Sequence, residues 1–289
     1  MGEIVGAAIV SHVPPLVLPL ETRLEMNGGV DYSIVDGLRR LRREQLDRIQ
    51  PDTIVVFDTH WYTTFEHIIT AHASRRGRYT SDELPRGNPA MHYDLPGDPE
   101  LAAAVAAVAA GRDDTWVLAT DDPYIGIHYP TVYPSEYLQG GERWVSVGVC
   151  QTADADDFLL FGAMLEEAVT GLDRRVVLLA SGGLSHRFWP LREIRKHEGA
   201  GLENIISPEA RAGDETIIEM LEAGDHAGVI DRYPTIRGFS PEGKFAHYLM
   251  MVGAMGGRSC TVPGVRYSDY ESAAGTGQVH IWFDPDYGG

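Results

Sequence analysis

The sequence predicts an α/β fold: a single three-layer domain whose central sheet is mostly parallel or mixed and has helices on both faces. Short β-branched apolar runs alternate with helical segments along the whole length. The 289 residues are 44% hydrophobic, enough for one large core. No stretch rich in proline, glycine or polar residues is long enough to be a linker. We therefore assign residues 1–289 to one domain.

The local pattern of residue types predicts where the strands, helices and loops lie. β-branched apolar runs predict strands at 3–10, 53–58, 66–72, 115–119, 144–150, 175–181 and 278–283. Helical patterns and start signals predict helices at 33–49, 98–111, 155–171, 208–223 and 243–255. The helix at 98–111, for example, has Asp98-Pro99-Glu100 at its start, with proline and an acid in the first turn. Clusters of proline and glycine predict loops at 85–99, 123–134 and 256–264.

Composition excludes several classes of partner. The formal net charge is −18, so we expect no nucleic acid and no anionic membrane surface as partner, because both require clustered lysine and arginine. Two cysteines, Cys150 and Cys260, are too few for a disulfide framework or a thiolate zinc site. There is no signal-peptide pattern and no apolar run of about 18 residues. We expect a cytoplasmic protein that neither enters nor crosses a membrane.

Three histidines follow predicted strands. His12 closes the first apolar run, His60 closes the second, and His186 comes shortly after the strand at 175–181. In open α/β sheets, ligands bind at the carboxyl ends of the strands, where such side chains meet. His12 and His60 together therefore indicate one metal site.

Two imidazoles and one carboxylate on one face of a ferrous ion leave three positions open for substrate and O2. Among the acids, Glu242 is the candidate carboxylate, because it lies in a loop between Pro241 and Gly243 just before an apolar helix. Taken alone, that pattern also fits a solvated acid.

His186 follows the small-residue turn Ser181-Gly182-Gly183, which allows close approach of a ligand to the backbone. A histidine there can act as an acid/base residue for a phenol. Nucleophilic catalysis by Ser181 or Ser185 is the competing interpretation, but the run is not Gly-x-Ser-x-Gly. The glycines also fail the dinucleotide fingerprint.

The chain resembles the class III extradiol ring-cleavage dioxygenases, the superfamily of the catalytic subunit of protocatechuate 4,5-dioxygenase. Within it, the likeness is greatest to the homoprotocatechuate (3,4-dihydroxyphenylacetate) 2,3-dioxygenase branch. The matching segments run from end to end of the chain: 9–14, 52–61, 78–85, 91–93, 97–101, 179–188, 242–243 and 275–279.

The resemblance implies that His12, His60 and Glu242 hold Fe(II) and that His186 is the acid/base histidine. It also implies that a catechol and O2 react to give a muconic semialdehyde-type product. His128 lies where many relatives carry Asp-His-Gly-Thr and use the imidazole near the substrate or the oxygen. Here the acid and the glycine of that motif are absent, so the orientation of His128 stays open.

Substrate choice is less constrained. Arg78, Tyr79, Arg86 and Tyr93 lie in or near the segment most like the homoprotocatechuate branch, and an arginine there could pair with a substrate carboxylate. Arg187 is a competing candidate for that contact. Ring cleavage of a 2-aminophenol, by a 2-aminophenol 1,6-dioxygenase-like activity, is the alternative within the superfamily.

Two other classes remain open at this point. The same two histidines and glutamate could bind Zn2+ and activate water for hydrolysis. A protein of this fold could also act as a non-catalytic binding module. We expect a homo-oligomer, and a small helical partner subunit like that of the protocatechuate enzyme would have to be a separate chain.

Overall fold

The computed structural model describes residues 1–85 and 90–285, and one large mixed sheet organises them. The strands of these residues are β1 (Glu3–Val10), β2 (Thr53–Thr63), β3 (His67–Thr70), β4 (Ser74–Tyr79), β5 (Met91–Pro96), β6 (Val117–Thr120), β7 (Arg143–Cys150), β8 (Arg175–Ser181), β9 (Gly264–Arg266), β10 (Glu271–Ala273), β11 (Thr276–Gln278) and β12 (Ile281–Phe283). Eight of them form one sheet in the order β6-β3-β7-β2-β8-β1-β12-β9. The hairpins β4–β5 and β10–β11 stand outside it.

Helices connect these strands. The α-helices of the described residues are α1 (Leu20–Met26), α2 (Ser33–Leu41), α3 (Asp47–Ile49), α4 (Pro99–Ala109), α5 (Tyr129–Leu138), α6 (Ala155–Thr170), α7 (Pro208–Glu222), α8 (His226–Asp231), α9 (Tyr233–Ile236) and α10 (Ala246–Ala254). Short 3-10 turns occur at Pro14–Leu16, Ile194–His197, Leu202–Asn204, Arg237–Phe239, Glu242–Phe245 and Gly257–Ser259. Within residues 1–85 and 90–285, each helix is too short or too polar to span a membrane.

Each face of the sheet carries its own apolar core. Val55 and Leu178 pack with α4, α6 and α10 on one face. Their neighbours Val56 and Leu179 pack with α2 and α5 on the other. Side chains alternate across a strand, so the continuous apolar runs of the sequence bury both faces. The predicted three-layer α/β class is confirmed.

The parallel centre of the sheet aligns β1, β2 and β8 at one edge. β8 lies between β2 and β1 and is parallel to both. Its last residue, Ser181, is the register partner of Val10 in β1 and of Asp58 in β2. β1 and β8 end at this level, whereas β2, predicted to end at Asp58, continues to Thr63 with a register shift between Asp58 and Tyr62. The residues that come after Val10 and Asp58 therefore emerge at one edge of the sheet.

Two predicted helices differ in detail from the structure. The segment 33–49 is helical throughout, but Arg42–Leu46 forms a π-helical turn between α2 and α3. The helix predicted from 243 begins only at Ala246, because Gly243, Lys244 and Phe245 have φ of 53°, 61° and 63°. This left-handed run turns the chain sharply after Glu242.

Two predicted loops are wrong in part. The loop at 123–134 ends early, because α5 begins at Tyr129 despite Pro130 and Pro134. Proline is compatible with the first turn of a helix, where its missing N–H costs nothing. The loop at 85–99 contains β5, which pairs with β4 in a hairpin that the sequence did not predict. Residues 86–89 of that loop lie outside the described residues.

Candidate metal centre

His12, His60 and Glu242 meet at the carboxyl edge of the sheet. Glu242 Oε1 lies 2.8 Å from His12 Nε2 and 2.9 Å from His60 Nε2. The three potential ligand atoms lie within 4.8 Å of one another. His12 and Glu242 are buried, and the side chain of His60 is 15% exposed. The first two histidines therefore share a pocket, as predicted from their strand ends, and a loop remote in sequence supplies the carboxylate.

A helical proline helps to orient His12. Pro134 has no N–H, so the carbonyl of Pro130, four residues earlier, has no helical donor from that position. That carbonyl accepts a hydrogen bond from Ser181 Oγ at 2.7 Å. Since the one hydroxyl proton is used there, His12 Nδ1, 3.0 Å from the same oxygen, must be the donor in its contact with Ser181. His12 Nε2 then carries the lone pair that a metal requires.

His60 has a corresponding partner in Glu83. The Nδ1 atom of His60 donates to Glu83 Oε1 at 3.0 Å, which leaves Nε2 facing Glu242. The Tyr129 hydroxyl lies 2.8 Å from the same Nε2 atom and 3.3 Å from Glu83 Oε2. A carboxylate on the far nitrogen of a ligating histidine fixes its ring and raises its basicity.

Glu242 is held by the loop after β8. Its Oε2 atom accepts a 2.5 Å hydrogen bond from the backbone N–H of Gly183. Thr59 Oγ1 lies 3.1 Å from Oε1. Burial raises the pKa of Glu242, but the charges of His12 and His186 and hydrogen bonds to His12 and His60 outweigh it, and the pKa falls well below its ordinary value. The carboxylate is therefore ionised and can serve as a ligand.

The cluster favours positive charge. Burial lowers the pKa of His60, but Glu242 and Glu83 raise it more, to about 9 in the metal-free protein. With Nδ1 of both histidines used as donors, two Nε2 lone pairs and a carboxylate converge, which is unfavourable without a cation between them. The three ligand atoms lie within 4.8 Å of one another, so small side-chain shifts would bring all three onto one ion. The three side chains fit a metal ion.

His186 lies beside the cluster rather than within it. Its Nε2 atom is 3.7 Å from Glu242 Oε1, and its side chain is 22% exposed. Burial lowers the pKa of His186. The backbone N–H of His186 donates to the Ser240 carbonyl, and the ring packs edge-on against Phe188, with ring centroids 4.9 Å apart. An imidazole so placed can exchange a proton with a molecule bound at the cluster.

The other predicted site residues lie in different surroundings. Arg187 donates to Ser240 Oγ and to the Gly238 carbonyl. Arg78 and Tyr93 line a surface cavity of about 650 Å3 on the β4–β5 hairpin. The lining of that cavity does not include His12, His60 or Glu242.

His128 is the residue before α5 and is partly buried. Among the described residues, its side chain makes no hydrogen bond to the cluster. Arg86 falls outside the described residues. The roles assigned from the sequence to Arg78, Arg86, Tyr93, His128 and Arg187 stay predictions.

Two residues at the cluster were missed by reasoning from the sequence. Tyr129, 6% exposed, packs its ring against His60 and His12, with centroids 4.3 and 5.1 Å away. Glu83 lies in the segment 78–85, but it looks like an ordinary surface acid there. The one feature of the sequence that could have indicated Tyr129 is its position next to His128. Both Tyr129 and Glu83 reach His60 only because the chain folds back on itself.

Replacing Glu83 by glutamine tests its support of His60. We expect Glu83→Gln to weaken metal binding about 10-fold, the low end of the range for such partners, because Glu83 is half exposed. Competition for the metal against a chromophoric chelator measures this. Asp82→Asn, a change of the same kind on the neighbouring exposed acid, is the control. Equal affinity in both variants would show that Glu83 does not support the ligand.

Comparison with known proteins identifies the family. Residues 6–283 match the family model described as the catalytic LigB subunit of aromatic ring-opening dioxygenase. The chain belongs to this family. It is thus a ring-opening dioxygenase, and the match spans both the sheet and the three clustered side chains.

Relatives within the ring-opening dioxygenases agree. The chain is 28% identical to the 3,4-dihydroxyphenylacetate 2,3-dioxygenase of Escherichia coli, over 89% of this chain and 91% of that protein. It is 25% identical to a 2,3-dihydroxyphenylpropionate/2,3-dihydroxicinnamic acid 1,2-dioxygenase of Paraburkholderia phymatum, over 85% and 89%. The crystal structure of an uncharacterized Escherichia coli K12 protein shares the fold, with a TM-score of 0.61, 17% identity and coverage of 96% and 99%.

Proposed function

We propose that this ring-opening dioxygenase is a ferrous, extradiol enzyme whose substrate is a catechol such as 3,4-dihydroxyphenylacetate. The observation that carries the proposal is the buried set of His12, His60 and Glu242, with the His186 imidazole 3.7 Å from the carboxylate but outside the ligand set. Two histidines and one carboxylate with open positions are typical of non-haem Fe(II) oxygenases.

His12, His60 and Glu242 would hold the iron. Bound Fe(II) would bring the catechol and O2 together and pass electron density between them. The protein contributes a preset geometry, since each ligand is fixed by a partner of its own: Ser181, Glu83 and the Gly183 N–H.

His186 would move the proton. A catechol that binds at the cluster must lose a phenolic proton, and His186 Nε2 lies 3.7 Å from Glu242 Oε1. It would accept that proton and return it later in the same turnover, leaving a ring-opened product that retains both atoms of O2. The exposed ring of Phe188 beside it offers an apolar face to an aromatic substrate.

The choice of 3,4-dihydroxyphenylacetate rests on one relative of that activity at 28% identity. Arg78, Tyr93 and Arg187 remain the proposed substrate-binding residues, with Arg78 and Arg187 as competing partners for the substrate carboxylate. A homo-oligomeric state and a cytoplasmic location also stay predictions from the sequence.

Anaerobic reconstitution with Fe(II), followed by air and a panel of aromatics, tests the proposal. The panel is 3,4-dihydroxyphenylacetate, protocatechuate, catechol and 2-aminophenol. We expect a yellow product and one O2 consumed per substrate, fastest with 3,4-dihydroxyphenylacetate. The chelated protein and the Zn2+-loaded protein are controls. Faster turnover of 2-aminophenol would make an aminophenol, and not a catechol, the substrate. Activity only with Zn2+ would make zinc, and not iron, the functional metal.

A further inference from the structure

The Tyr129 hydroxyl occupies an unusual position at the cluster. It lies 2.8 Å from His60 Nε2, the same nitrogen that is 2.9 Å from Glu242 Oε1. Glu242 Oε1 and the Tyr129 hydroxyl oxygen therefore both approach His60 Nε2, and of these two oxygens only that of Glu242 belongs to the candidate metal ligands. The hydroxyl therefore lies close enough to reach a molecule bound beside His60 Nε2, and among the described residues the group that could hold a metal is His12, His60 and Glu242, without Tyr129.

Metal binding would leave this hydroxyl in need of an acceptor. A metal ion bound at His60 Nε2 uses the lone pair of that nitrogen, so Nε2 cannot then accept a hydrogen bond from the hydroxyl. Among the described residues, the remaining acceptor is Glu83 Oε2 at 3.3 Å, longer than the 2.5–3.0 Å usual for O–H···O hydrogen bonds. A buried hydroxyl without a good acceptor is costly, so an oxygen of a bound molecule would be stabilised there.

We propose that Tyr129 donates a hydrogen bond to a substrate oxygen bound at the open metal position next to His60, and so contributes directly to catechol binding. The inference rests on the proposed function, because it requires a catechol at the metal.

The fold restrains the ring in this position. Tyr129 is the first residue of α5, and Pro130 restricts the backbone directly after it. Its ring packs against His60, His12 and Tyr133. Tyr129→Phe removes the hydroxyl and keeps these ring contacts, so we expect the variant to fold.

Tyr133 provides a matched control. Its ring centroid is 5.3 Å from that of Tyr129, and its buried hydroxyl has no hydrogen-bond partner within residues 1–85 and 90–285. Tyr133→Phe therefore removes the same atom from the same helix without altering the cluster.

The test is an anaerobic absorbance titration of the Fe(II)-loaded protein with 4-nitrocatechol, a catechol whose colour changes on ionisation. We expect Tyr129→Phe to bind it about 10-fold more weakly, with unchanged iron content, and Tyr133→Phe to bind it like the wild type. If Tyr129→Phe does not fold, Tyr129→Met must show the same split between catechol affinity and iron content.

Two outcomes would overturn the inference alone. Wild-type affinity in Tyr129→Phe would show that the hydroxyl does not contact the catechol. Loss of iron in Tyr129→Phe would place the hydroxyl on the metal instead. If the wild-type protein itself fails to bind 4-nitrocatechol, the proposed catechol function fails, and the role of Tyr129 fails with it.

Discussion

Glu242→Gln is expected to abolish tight metal binding and, with it, turnover. The carboxylate supplies the one negative charge in the ligand set, and its Oε1 atom faces both His12 Nε2 and His60 Nε2. Mutating a residue that hydrogen-bonds to a metal ligand typically lowers metal affinity about 10- to 100-fold. Removing the charge of the ligand itself should therefore lower metal affinity more than about 100-fold. Iron content after reconstitution and the rate of O2 uptake measure the two effects.

Thermal unfolding provides an independent readout. A metal that binds only the folded protein stabilises it by about 2.7 kcal/mol at 100 times its Kd. We expect saturating Zn2+ or anaerobic Fe2+ to raise the unfolding temperature of the wild type but not of Glu242→Gln. Glu193→Gln, on an acid that is paired with Lys196 and has a 45% exposed side chain, should respond like the wild type. A metal-dependent stabilisation of equal size in Glu242→Gln would remove Glu242 from the metal site.

His186→Phe is expected to keep the metal and lose most of the turnover. The imidazole lies beside the ligand set, so its removal leaves His12, His60 and Glu242 in place. Proton transfer by a positioned side chain typically contributes 10²- to 10⁴-fold to rate, and we expect a fall in kcat of that size. Steady-state O2 uptake measures kcat, and iron content measures the metal.

His197→Phe is the control for this substitution. His197 stacks on Trp189 with ring centroids 3.7 Å apart, and phenylalanine retains that stacking. Its kcat should stay near that of the wild type. Loss of iron from His186→Phe in proportion to the loss of activity would make His186 a fourth ligand and leave the proton transfer to another group.

Reasoning from strand ends succeeded where the chemistry depends directly on local pattern. The runs before His12 and His60 are apolar and β-branched, and parallel neighbouring strands deliver the residues after them to one edge of the sheet. It failed at α5, because Pro130 and Pro134 indicate a loop when only the sequence is considered. The first is compatible with a first helical turn, and the second lies in a helix packed against α2 and β2.

The same failure concealed part of the site. Because the prolines of α5 indicate a loop, neither the Pro130 carbonyl that receives Ser181 nor the Tyr129 ring against His60 could be placed. Glu83 was equally invisible, since an exposed acid in a polar segment carries no sign of its partner. Tyr129 is 69 positions from His60 and 46 positions from Glu83 in the sequence, so its contacts with them depend on how the chain folds back over the sheet edge.

The sequence by itself determined the α/β class, the order of the main strands and helices, and the two histidines that share the sheet edge. These features depend on period, composition and the residue at a strand end, all of which are local. The sequence also named Glu242 as the candidate carboxylate, but its local pattern fitted a solvated acid equally well, and only the tertiary structure decided that this acid joins the histidines and how it is held. The left-handed turn after Glu242 and the Gly183 N–H bring that carboxylate to within 2.9 Å of histidines 230 and 182 residues away in the chain, and no local pattern encodes that distance.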